Sequence, residues 1–416
     1  MFREEIMGKK LFVPPDAVLS ETDKIERYLR SQVIDQDRAI REITRSINRG
    51  EAGLQNPDHP LGVFLFLGPT GVGKTHTALE LAKVFQKKLW RCQKFEECGY
   101  ETTFKKGKEL NYQPTTLVVC PEHHKDGKNI PLEEVEIPEI WRVDCGQLSD
   151  HKGPLVHYLM GAPVGYIGND QTPFFHGKAP KVVLFDEIEK AIVPNNWWEE
   201  KNGLEDILLK IIQNGRILNQ KKEEVDFTES FIIMTGNLGT REVTAEIGKN
   251  SVGFLASQNP VKKVSQMGDE EIEKLNERIY RIIKEKFLKE FPPEFVNRID
   301  RLVVFRFLKQ SSYQKIFDRE AAKIQARIDK SPTPFRLEFK SDAKMFFVDE
   351  AFSDRQYGAN PLGRLLEKNL VSEIANLINH KVIRTDSVVQ VGLEKGELVF
   401  LEKNEKKTTA IQEGGR

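Results

Sequence analysis

The amino-acid sequence predicts an α/β protein in which a domain with a five-stranded parallel sheet is followed by a smaller α/β domain. Helical stretches separate five short runs rich in β-branched and aromatic residues, namely VFLFLG, IWRVD, VVLFDE, FIIMTGN and RLVVFRF. Near-continuous hydrophobicity within such a run is typical of a parallel strand that is covered on both faces. From about residue 306 the pattern changes to helices and a pair of strands, which predicts the second domain.

The large domain is expected to span residues 20–305. It opens with SETDKIERYLRSQVIDQDRAIREITRSINRG, where a serine cap and helically spaced apolar residues predict two short helices separated near Val33 and Ile34. An insertion at about 91–137 interrupts the domain between a helix and the IWRVD strand.

The small domain is expected to span residues 306–403. It contains LEFKSDAKMFFVDEAF, the helical NPLGRLLEKNLVSEIANLINH and the paired strands of SVVQVGLEKGELVFLE. A lead segment, 1–19, precedes the two domains, and a polar tail, 404–416, follows them.

Composition indicates an ordinary water-soluble protein. Of 416 residues, 39% are hydrophobic and 30% are charged, and the 63 basic residues equal the 63 acidic ones. Such a balance gives no overall attraction to nucleic acid or to an anionic membrane. With neither a signal peptide nor a membrane span visible, a cytoplasmic location is expected. Four cysteines are too few for a disulfide framework, so thiols or metal ligands are expected.

The segment GPTGVGKT, residues 68–75, directly follows the strand VFLFL and precedes the helical ALELAKVF. This is the context of a phosphate-binding loop, because glycines let successive N–H groups face phosphate oxygens and the helix adds its positive end. Lys74 is expected to neutralise the β- and γ-phosphates of ATP, and Thr75 to hold Mg²⁺. The predicted nucleotide contacts are Gly68, Pro69, Thr70, Gly71, Val72, Gly73, Lys74, Thr75 and His76.

Two carboxylates follow the strand of KVVLFDEIEK, and an amide follows that of FIIMTGN. Asp186 suits the hydrated Mg²⁺, and Glu187 suits polarising the attacking water, since phosphoryl transfer needs positioning and charge stabilisation. Asn237 suits orienting that water; the alternative for Asn237 is a strand-end turn.

Six motifs occur in a fixed order: VIDQDRAI, GPTGVGKT, GAPVGYIG, VVLFDEIEKA, IIMTGNLG and PPEFVNRID. In this order they resemble the second AAA+ ATPase module of Clp-type unfoldases and disaggregases, the ClpB- and ClpC-like proteins, with their Walker A and Walker B motifs. The likeness covers most of the chain except 91–137 and a short stretch around Asn195. One module and no separate amino-terminal substrate domain are recognisable, so a single ring is expected.

The resemblance implies a homo-hexamer with ATP bound between neighbours. Arg298 of PPEFVNRID matches the arginine finger that enters the next subunit's site, where it stabilises charge on the transferred phosphoryl group. The alternative is a salt-bridged arginine beside Asp300. Val33 and Ile34 match the positions that enclose adenine.

One departure from the family concerns the γ-phosphate sensor of the small domain. Where the family has Gly-Ala-Arg, this chain has Gly358-Ala359-Asn360. Arg364 lies one helical turn further on and is the candidate replacement; the alternative is a solvated arginine that pairs with Glu367.

A tyrosine stands between glycines in MGAPVGYIGND, at Gly165, Tyr166, Ile167 and Gly168. Without the resemblance, a turn whose tyrosine packs onto its own domain is the simpler reading. In the family this aromatic lines the central pore, so Tyr166 is expected to grip threaded polypeptide through apolar contacts. The rival is a nucleic-acid motor, but no lysine or arginine accompanies the tyrosine as phosphate binding would require. A scaffold that never hydrolyses ATP is disfavoured by the presence of Lys74, Glu187 and Arg298.

Val252, Gly253 and Phe254 lie where protease-coupled Clp ATPases carry a loop that docks into a peptidase ring. The alternative is a local apolar anchor. The expected function is therefore ATP-driven unfolding or remodelling of polypeptide, with coupling to a Clp-like peptidase as the alternative.

The insertion contains RCQKFEECGY and VVCPEHH. Cys92, Cys98, Cys120 and His123 (or the neighbouring His124) can give a four-coordinate zinc site, although the Cys-x5-Cys spacing is looser than in zinc ribbons. Such a metal would stabilise a segment with little core of its own and present it to an adaptor. The alternative is an unmetallated surface excursion.

Overall fold

The computed structural model describes residues 20–98, 101–102, 122–123, 132–148, 155–162, 172–191, 204–238, 269–353 and 358–403. The predicted lead segment and tail lie outside these residues. Within the part of the chain that the structure describes, none of the helices combines the length and apolar character that crossing a bilayer requires.

The strands are β1 (Gly62–Leu67), β2 (Lys87–Cys92), β3 (Glu101–Thr102), β4 (Leu132–Ile137), β5 (Ile140–Asp144), β6 (Val182–Asp186), β7 (Arg216–Leu218), β8 (Glu224–Asp226), β9 (Phe231–Gly236), β10 (Arg301–Val304), β11 (Arg336–Phe339), β12 (Val388–Glu394) and β13 (Glu397–Lys403). The α-helices are α1 (Glu21–Gln32), α2 (Asp37–Glu51), α3 (Lys74–Val84), α4 (Phe95–Cys98), α5 (Cys145–Leu148), α6 (Leu155–Met160), α7 (Leu204–Asn214), α8 (Asp269–Glu290), α9 (Pro293–Val296), α10 (Gln310–Asp329), α11 (Ser341–Ser353), α12 (Asn360–Leu365) and α13 (Ser372–Asn379). A 3₁₀ turn at Ile188–Lys190 follows β6, and a π-helical turn at Leu366–Val371 joins α12 to α13.

The two predicted amino-terminal helices are α1 and α2. Ser20 caps α1 reciprocally: its hydroxyl accepts from the Asp23 N–H at 3.1 Å, and its own N–H donates to the Asp23 carboxylate at 2.8 Å. The chain turns between the helices at Asp35, whose φ is +57°.

A five-stranded parallel sheet forms the centre of the large domain, in the order β10-β1-β9-β6-β5. Alternate residues of β1 point to opposite faces: Val63 and Leu65 join one hydrophobic core, and Phe64 and Phe66 join the other. Every residue of β1, β6 and β9 is buried. Covering on both faces explains the continuous apolar runs, and the prediction of a five-stranded parallel sheet is confirmed.

The carboxyl ends of the parallel strands meet at one edge of this sheet. The loop after β1 leads into α3, and the residues after β6 and β9 lie beside that loop. In open α/β sheets this edge is where ligands bind.

The small domain carries a three-stranded sheet in the order β11-β12-β13, against which α10 and α11 pack. β11 and β12 are parallel, and β12 and β13 form the predicted antiparallel pair. The smaller α/β domain is thereby confirmed.

Between α3 and β5 the chain forms a separate antiparallel sheet in the order β3-β2-β4. β2 pairs with β4 from Lys87↔Ile137 to Cys92↔Leu132. A further antiparallel pair, β7 and β8, follows α7.

Candidate active site

A cavity of about 930 Å³ lies at the carboxyl edge of the large sheet, between the large and the small domain. This volume is ample for a nucleotide. Its lining includes Val33, Ile34, Thr70, Gly71, Val72, Gly73, Lys74, Thr75, His76, Asp186, Glu187, Asn237 and Arg364, all of which the sequence predicted.

The loop at residues 68–73 is held tightly where it leaves β1. A Cβ on Gly68, whose φ is +144°, would come within 2.8 Å of the Phe305 carbonyl oxygen. The Phe305 N–H in turn donates to the Leu67 carbonyl at 2.7 Å. Only glycine allows this close approach of two backbones.

Lys74 is buried beneath this loop. Its ammonium donates to the carbonyls of Gly68 at 2.8 Å and Pro69 at 2.6 Å, and to Asn237 Oδ1 at 2.8 Å. Burial lowers the pKa of Lys74 to about 8, against the attraction of Glu189, Asp186 and Glu187. A phosphate group that approaches this ammonium would replace neutral carbonyl acceptors by charged ones.

Asp186 is a buried carboxylate in the middle of a hydrogen-bond network. Its Oδ1 accepts from the Thr75 hydroxyl at 2.8 Å and from the Thr235 hydroxyl at 2.6 Å. Its Oδ2 accepts from Arg142 Nη2 at 2.7 Å. The Thr75 hydroxyl and the Asp186 carboxylate offer adjacent hard oxygen donors beside the phosphate-binding loop, so the residues present fit Mg²⁺.

Glu187 is exposed to the cavity in the left-handed conformation, with φ 57° and ψ 51°. Its N–H donates to the Thr235 hydroxyl at 3.1 Å, which fixes the backbone at this point. A Cβ at Gly146 would lie 3.2 Å from Glu187 Oε2, so the carboxylate packs against a residue without a side chain. Such an exposed carboxylate can accept a proton from a water molecule in the cavity.

Asn237 is oriented from two sides. Lys74 donates to its Oδ1, while its own N–H and Nδ2 both donate to Glu189 Oε1 at 3.1 Å. The amide is therefore held rigidly at the end of β9, beside the ammonium of the phosphate-binding loop.

One wall of the cavity is apolar, as a flat base requires. Val33 and Ile34 contribute from the α1–α2 connection, and Leu308 and Ile316 from the small domain. The connection is tied to its surroundings by buried Gln36. Its Nε2 donates to the carbonyls of Val72 at 3.3 Å and Arg306 at 3.1 Å, and its Oε1 accepts from the Arg306 N–H at 3.1 Å.

The small domain touches the phosphate-binding loop directly. The Ala359 N–H donates to the Gly71 carbonyl at 2.9 Å, and the Tyr313 hydroxyl donates to the Gly358 carbonyl at 2.8 Å. Asn360, at the position of the family's arginine, begins α12 and lines the cavity, as does Arg364. Glu367 pairs with Arg327 at 2.5 Å.

Arg319 of α10 and Lys323 also line the cavity, and the sequence analysis did not single out either residue. Arg319 donates to the Gln32 carbonyl, and its Nη1 lies 3.1 Å from His76 Nε2. Burial and the Arg319 charge lower the pKa of His76. Arg142 and Glu189 were missed as well. The sequence feature that could have identified Arg142 is a basic residue two positions before the end of the edge strand β5.

Arg298 lies away from this cavity, near the amino end of β1. There it lines a separate pocket with Arg49 and Asp300. Asp300 Oδ2 accepts from the Val63 N–H at 2.8 Å, and no salt bridge of the described residues includes Arg298. Since β1 has six residues, its two ends are about 17 Å apart.

Cys92, Cys98 and His123 come together beside the β3-β2-β4 sheet, with their ligand atoms all within 4.8 Å of one another. Cys145 is buried in the large core, where burial raises its pKa to about 12.

Several predicted site residues lie outside the described residues, so the structure does not test them. They are Gly165, Tyr166, Ile167, Gly168, Val252, Gly253, Phe254, Cys120 and His124.

Comparisons with known proteins agree with the fold. The family model described as AAA domain (Cdc48 subfamily) matches residues 59–302, and that of the C-terminal, D2-small domain of ClpB protein matches residues 308–391. The prediction of an AAA ATPase domain of Clp type is confirmed by these two matches.

Among curated proteins, Chaperone protein ClpB of Oceanobacillus iheyensis is 30% identical over 389 residues, which are 92% of this chain and 38% of that protein. The ATP-dependent Clp protease ATP-binding subunit ClpA homolog of Pyropia yezoensis is 28% identical over 393 residues, again 92% and 38%. The chain thus spans less than two fifths of the length of these relatives.

Among solved structures, the Hsp104:casein complex of S. cerevisiae in its extended conformation matches with a TM-score of 0.61 and 24% identity. The match covers 91% of this chain and 52% of that chain. It supports the fold. The family matches to both domains decide the classification: the chain belongs to the AAA domain family, Cdc48 subfamily, and carries the D2-small domain of ClpB proteins at its carboxyl side.

Proposed function

We propose that this chain hydrolyses ATP as a subunit of a hexameric ring and uses the energy to unfold or disaggregate polypeptide that is threaded through the central pore. The observation that carries the proposal is the convergence of Lys74, Thr75, Asp186, Glu187 and Asn237 on one cavity between the two domains. Phosphoryl transfer requires such positioned charges rather than covalent chemistry.

Nucleotide binding begins with the phosphate-binding loop and the ammonium of Lys74. Thr75 and Asp186 would hold Mg²⁺, which when bound neutralises charge on the β- and γ-phosphate oxygens. The base would lie against Val33 and Ile34, whose apolar surfaces exclude water from one side of the ring system.

Hydrolysis would use Glu187 as the group that accepts a proton from the attacking water. Its exposed carboxylate and fixed backbone suit this role. Asn237 would orient the same water, because Glu189 and Lys74 restrict the amide to one direction.

Arg298 would act on the nucleotide of a neighbouring subunit. It lies at the amino end of the sheet, whereas the phosphate-binding loop lies at the carboxyl end, about 17 Å away along β1. An arginine at that distance stabilises transferred phosphate only if the ring brings it to another subunit's cavity.

The small domain would report nucleotide state to the ring. The Ala359 to Gly71 hydrogen bond joins the small domain to the loop that cradles phosphate, so a displacement of one moves the other. Arg364, Arg319 and Lys323 would supply the positive charge that Asn360 lacks.

Tyr166 would line the pore and grip the translocated polypeptide, as the resemblance implies. The test compares Glu187→Gln and Tyr166→Ala with the unaltered protein in two assays: ATP hydrolysis, and unfolding of a tagged fluorescent substrate. Glu187→Gln should lose both activities, and Tyr166→Ala should lose only unfolding. Unfolding that survives Tyr166→Ala would disprove the pore assignment.

The destination of the polypeptide separates two versions of this function. The two curated relatives are named as a chaperone and as an ATP-binding subunit of a protease. If Val252, Gly253 and Phe254 dock a peptidase ring, Phe254→Ala should abolish degradation of the substrate and leave ATP hydrolysis intact. Substrate that is unfolded but never cut would identify a remodelling chaperone. ATP hydrolysis stimulated by DNA and not by unfolded protein would instead favour a nucleic-acid motor.

A further inference from the structure

A cluster of two thiols and an imidazole lies beside the inserted β3-β2-β4 sheet, and its residues are not among those that line the nucleotide cavity. Cys92 ends β2, Cys98 ends α4, and His123 comes from a separate segment of the chain. Their ligand atoms lie within 4.8 Å of one another, and Cys92 Sγ is 3.4 Å from His123 Nδ1. Three segments therefore converge on one small volume.

The burial pattern identifies this volume as the centre of the inserted sheet. Among the residues from 87 to 137 whose side chains the structure describes, Cys92 and His123 are the buried ones, with 1% and 6% of their surface exposed. A hydrocarbon cluster would be the usual centre of such a sheet. A buried thiol and imidazole in its place require polar partners.

The groups around the cluster favour the metal-binding forms of its members. The Lys94 N–H donates to Cys92 Sγ at 3.4 Å, which stabilises negative charge on the sulfur. His123 Nε2 faces Glu97 Oε2 at 3.4 Å, so Nδ1 is the nitrogen that faces the sulfur. A carboxylate on the outer nitrogen of a histidine is the usual arrangement around protein-bound metals, because it fixes the tautomer and the ring orientation.

We propose that Cys92, Cys98 and His123 bind a zinc ion that stabilises the inserted sheet. A tetrahedral ion with Zn–S of about 2.3 Å and Zn–N of about 2.0 Å places a sulfur and a nitrogen ligand about 3.5 Å apart. The observed distance from Cys92 Sγ to His123 Nδ1 is 3.4 Å. Two thiolates with an imidazole form a ligand set of the zinc type rather than one for magnesium or calcium. This inference does not depend on the proposed function.

Metal content of the full chain tests the proposal. Protein purified without chelators from zinc-supplemented culture should contain about one zinc per chain by elemental analysis. Cobalt added to stripped protein should give the intense visible bands of a tetrahedral thiolate site. Cys92→Ser and Cys98→Ser should each reduce the zinc content to near zero.

Two further variants distinguish a specific zinc site from adventitious zinc binding. Cys145→Ala removes a buried thiol of the large core and should keep about one zinc. Glu97→Gln should still bind zinc, but its zinc affinity, measured by competition with a chromophoric chelator, should be about 10- to 100-fold lower. Nucleotide binding by each variant shows that its large domain is folded. Zinc-free unaltered protein that also fails to bind cobalt, or Cys92→Ser with undiminished zinc, would overturn the proposal.

Discussion

The contact between Gly358 and the phosphate-binding loop leads to a sharp prediction about how the two domains cooperate. Gly358 has φ +61°, and a Cβ at this position would come within 2.2 Å of the Gly71 carbonyl carbon and 2.3 Å of its oxygen. Backbone atoms cannot yield as the end of a flexible side chain can. Gly358→Ala must therefore separate the small domain from the loop, and the Ala359 to Gly71 hydrogen bond would break.

The expected effect of Gly358→Ala on free energy is the sum of two separable costs. A non-glycine residue in the left-handed region costs about 1–2 kcal/mol. Overpacking against backbone, together with the loss of the hydrogen bond, adds about 1–3 kcal/mol. If this second cost falls on the form that binds nucleotide, ATP affinity should drop by about 5- to 150-fold.

Gly177→Ala is the matched control, because Gly177 has the same φ of +61° and nothing within 4 Å of its Cβ position. This variant should show the conformational cost alone and bind ATP as the unaltered protein does. Titration of each variant with a fluorescent adenine nucleotide measures the difference. Equal affinities for Gly358→Ala and Gly177→Ala would refute the reasoning.

Three further outcomes are expected. Burial lowers the pKa of Lys74 to about 8, so the ammonium loses its proton above that pH. ATP affinity measured at constant ionic strength should therefore fall about tenfold between pH 7 and pH 9. A constant affinity would contradict the role of the protonated Lys74 in binding phosphate. Glu187→Gln should retain ATP binding but lower the turnover rate at least about 100-fold in a phosphate-release assay, and near-normal turnover would exclude Glu187 as the base. Arg319→Ala should raise the ATP dissociation constant about 5- to 50-fold, whereas Arg327→Ala on the same helix should not; equal effects would show that Arg319 acts only through the stability of α10.

The parallel sheet was readable from the sequence because its strands are buried on both faces. Leu65 and Phe66 belong to different cores, so the run around them has no polar position to obscure it. β2 and β4 gave no such signal. Their sequences, KKLWRC and LEEVEI, carry charges that pair across the strands, as Lys88 does with Glu136 at 3.6 Å. A strand that is stabilised by charges on its partner strand cannot be recognised from its own sequence until the partner is known.

Within the candidate site, the residues found from the sequence are those at the ends of buried strands. Asp186 ends β6 and Asn237 directly follows β9, while Lys74 follows β1 after the loop at residues 68–73. The geometry of a parallel sheet brings such ends to one edge. The structure does bring these three side chains to a single cavity. Glu189 was missed because its role is to hold Asn237, a contact between two strand ends that no spacing rule encodes.

The cations of the small domain show why a motif alone misjudges this site. Asn360 stands where the family has an arginine. Judged from this motif alone, the small domain has no positive charge facing the nucleotide. In the folded chain Arg319, Lys323 and Arg364 all line the same cavity. Arg319 comes from α10, well before the motif in sequence, and it reaches the cavity because α10 packs beside the α1–α2 connection through its contact with Gln32. Electrostatic attraction of a triphosphate depends on the distance of positive charge and not on its place in the chain. With Asn360 in place of the arginine, positive side chains therefore still line the cavity, from α10 as well as from α12.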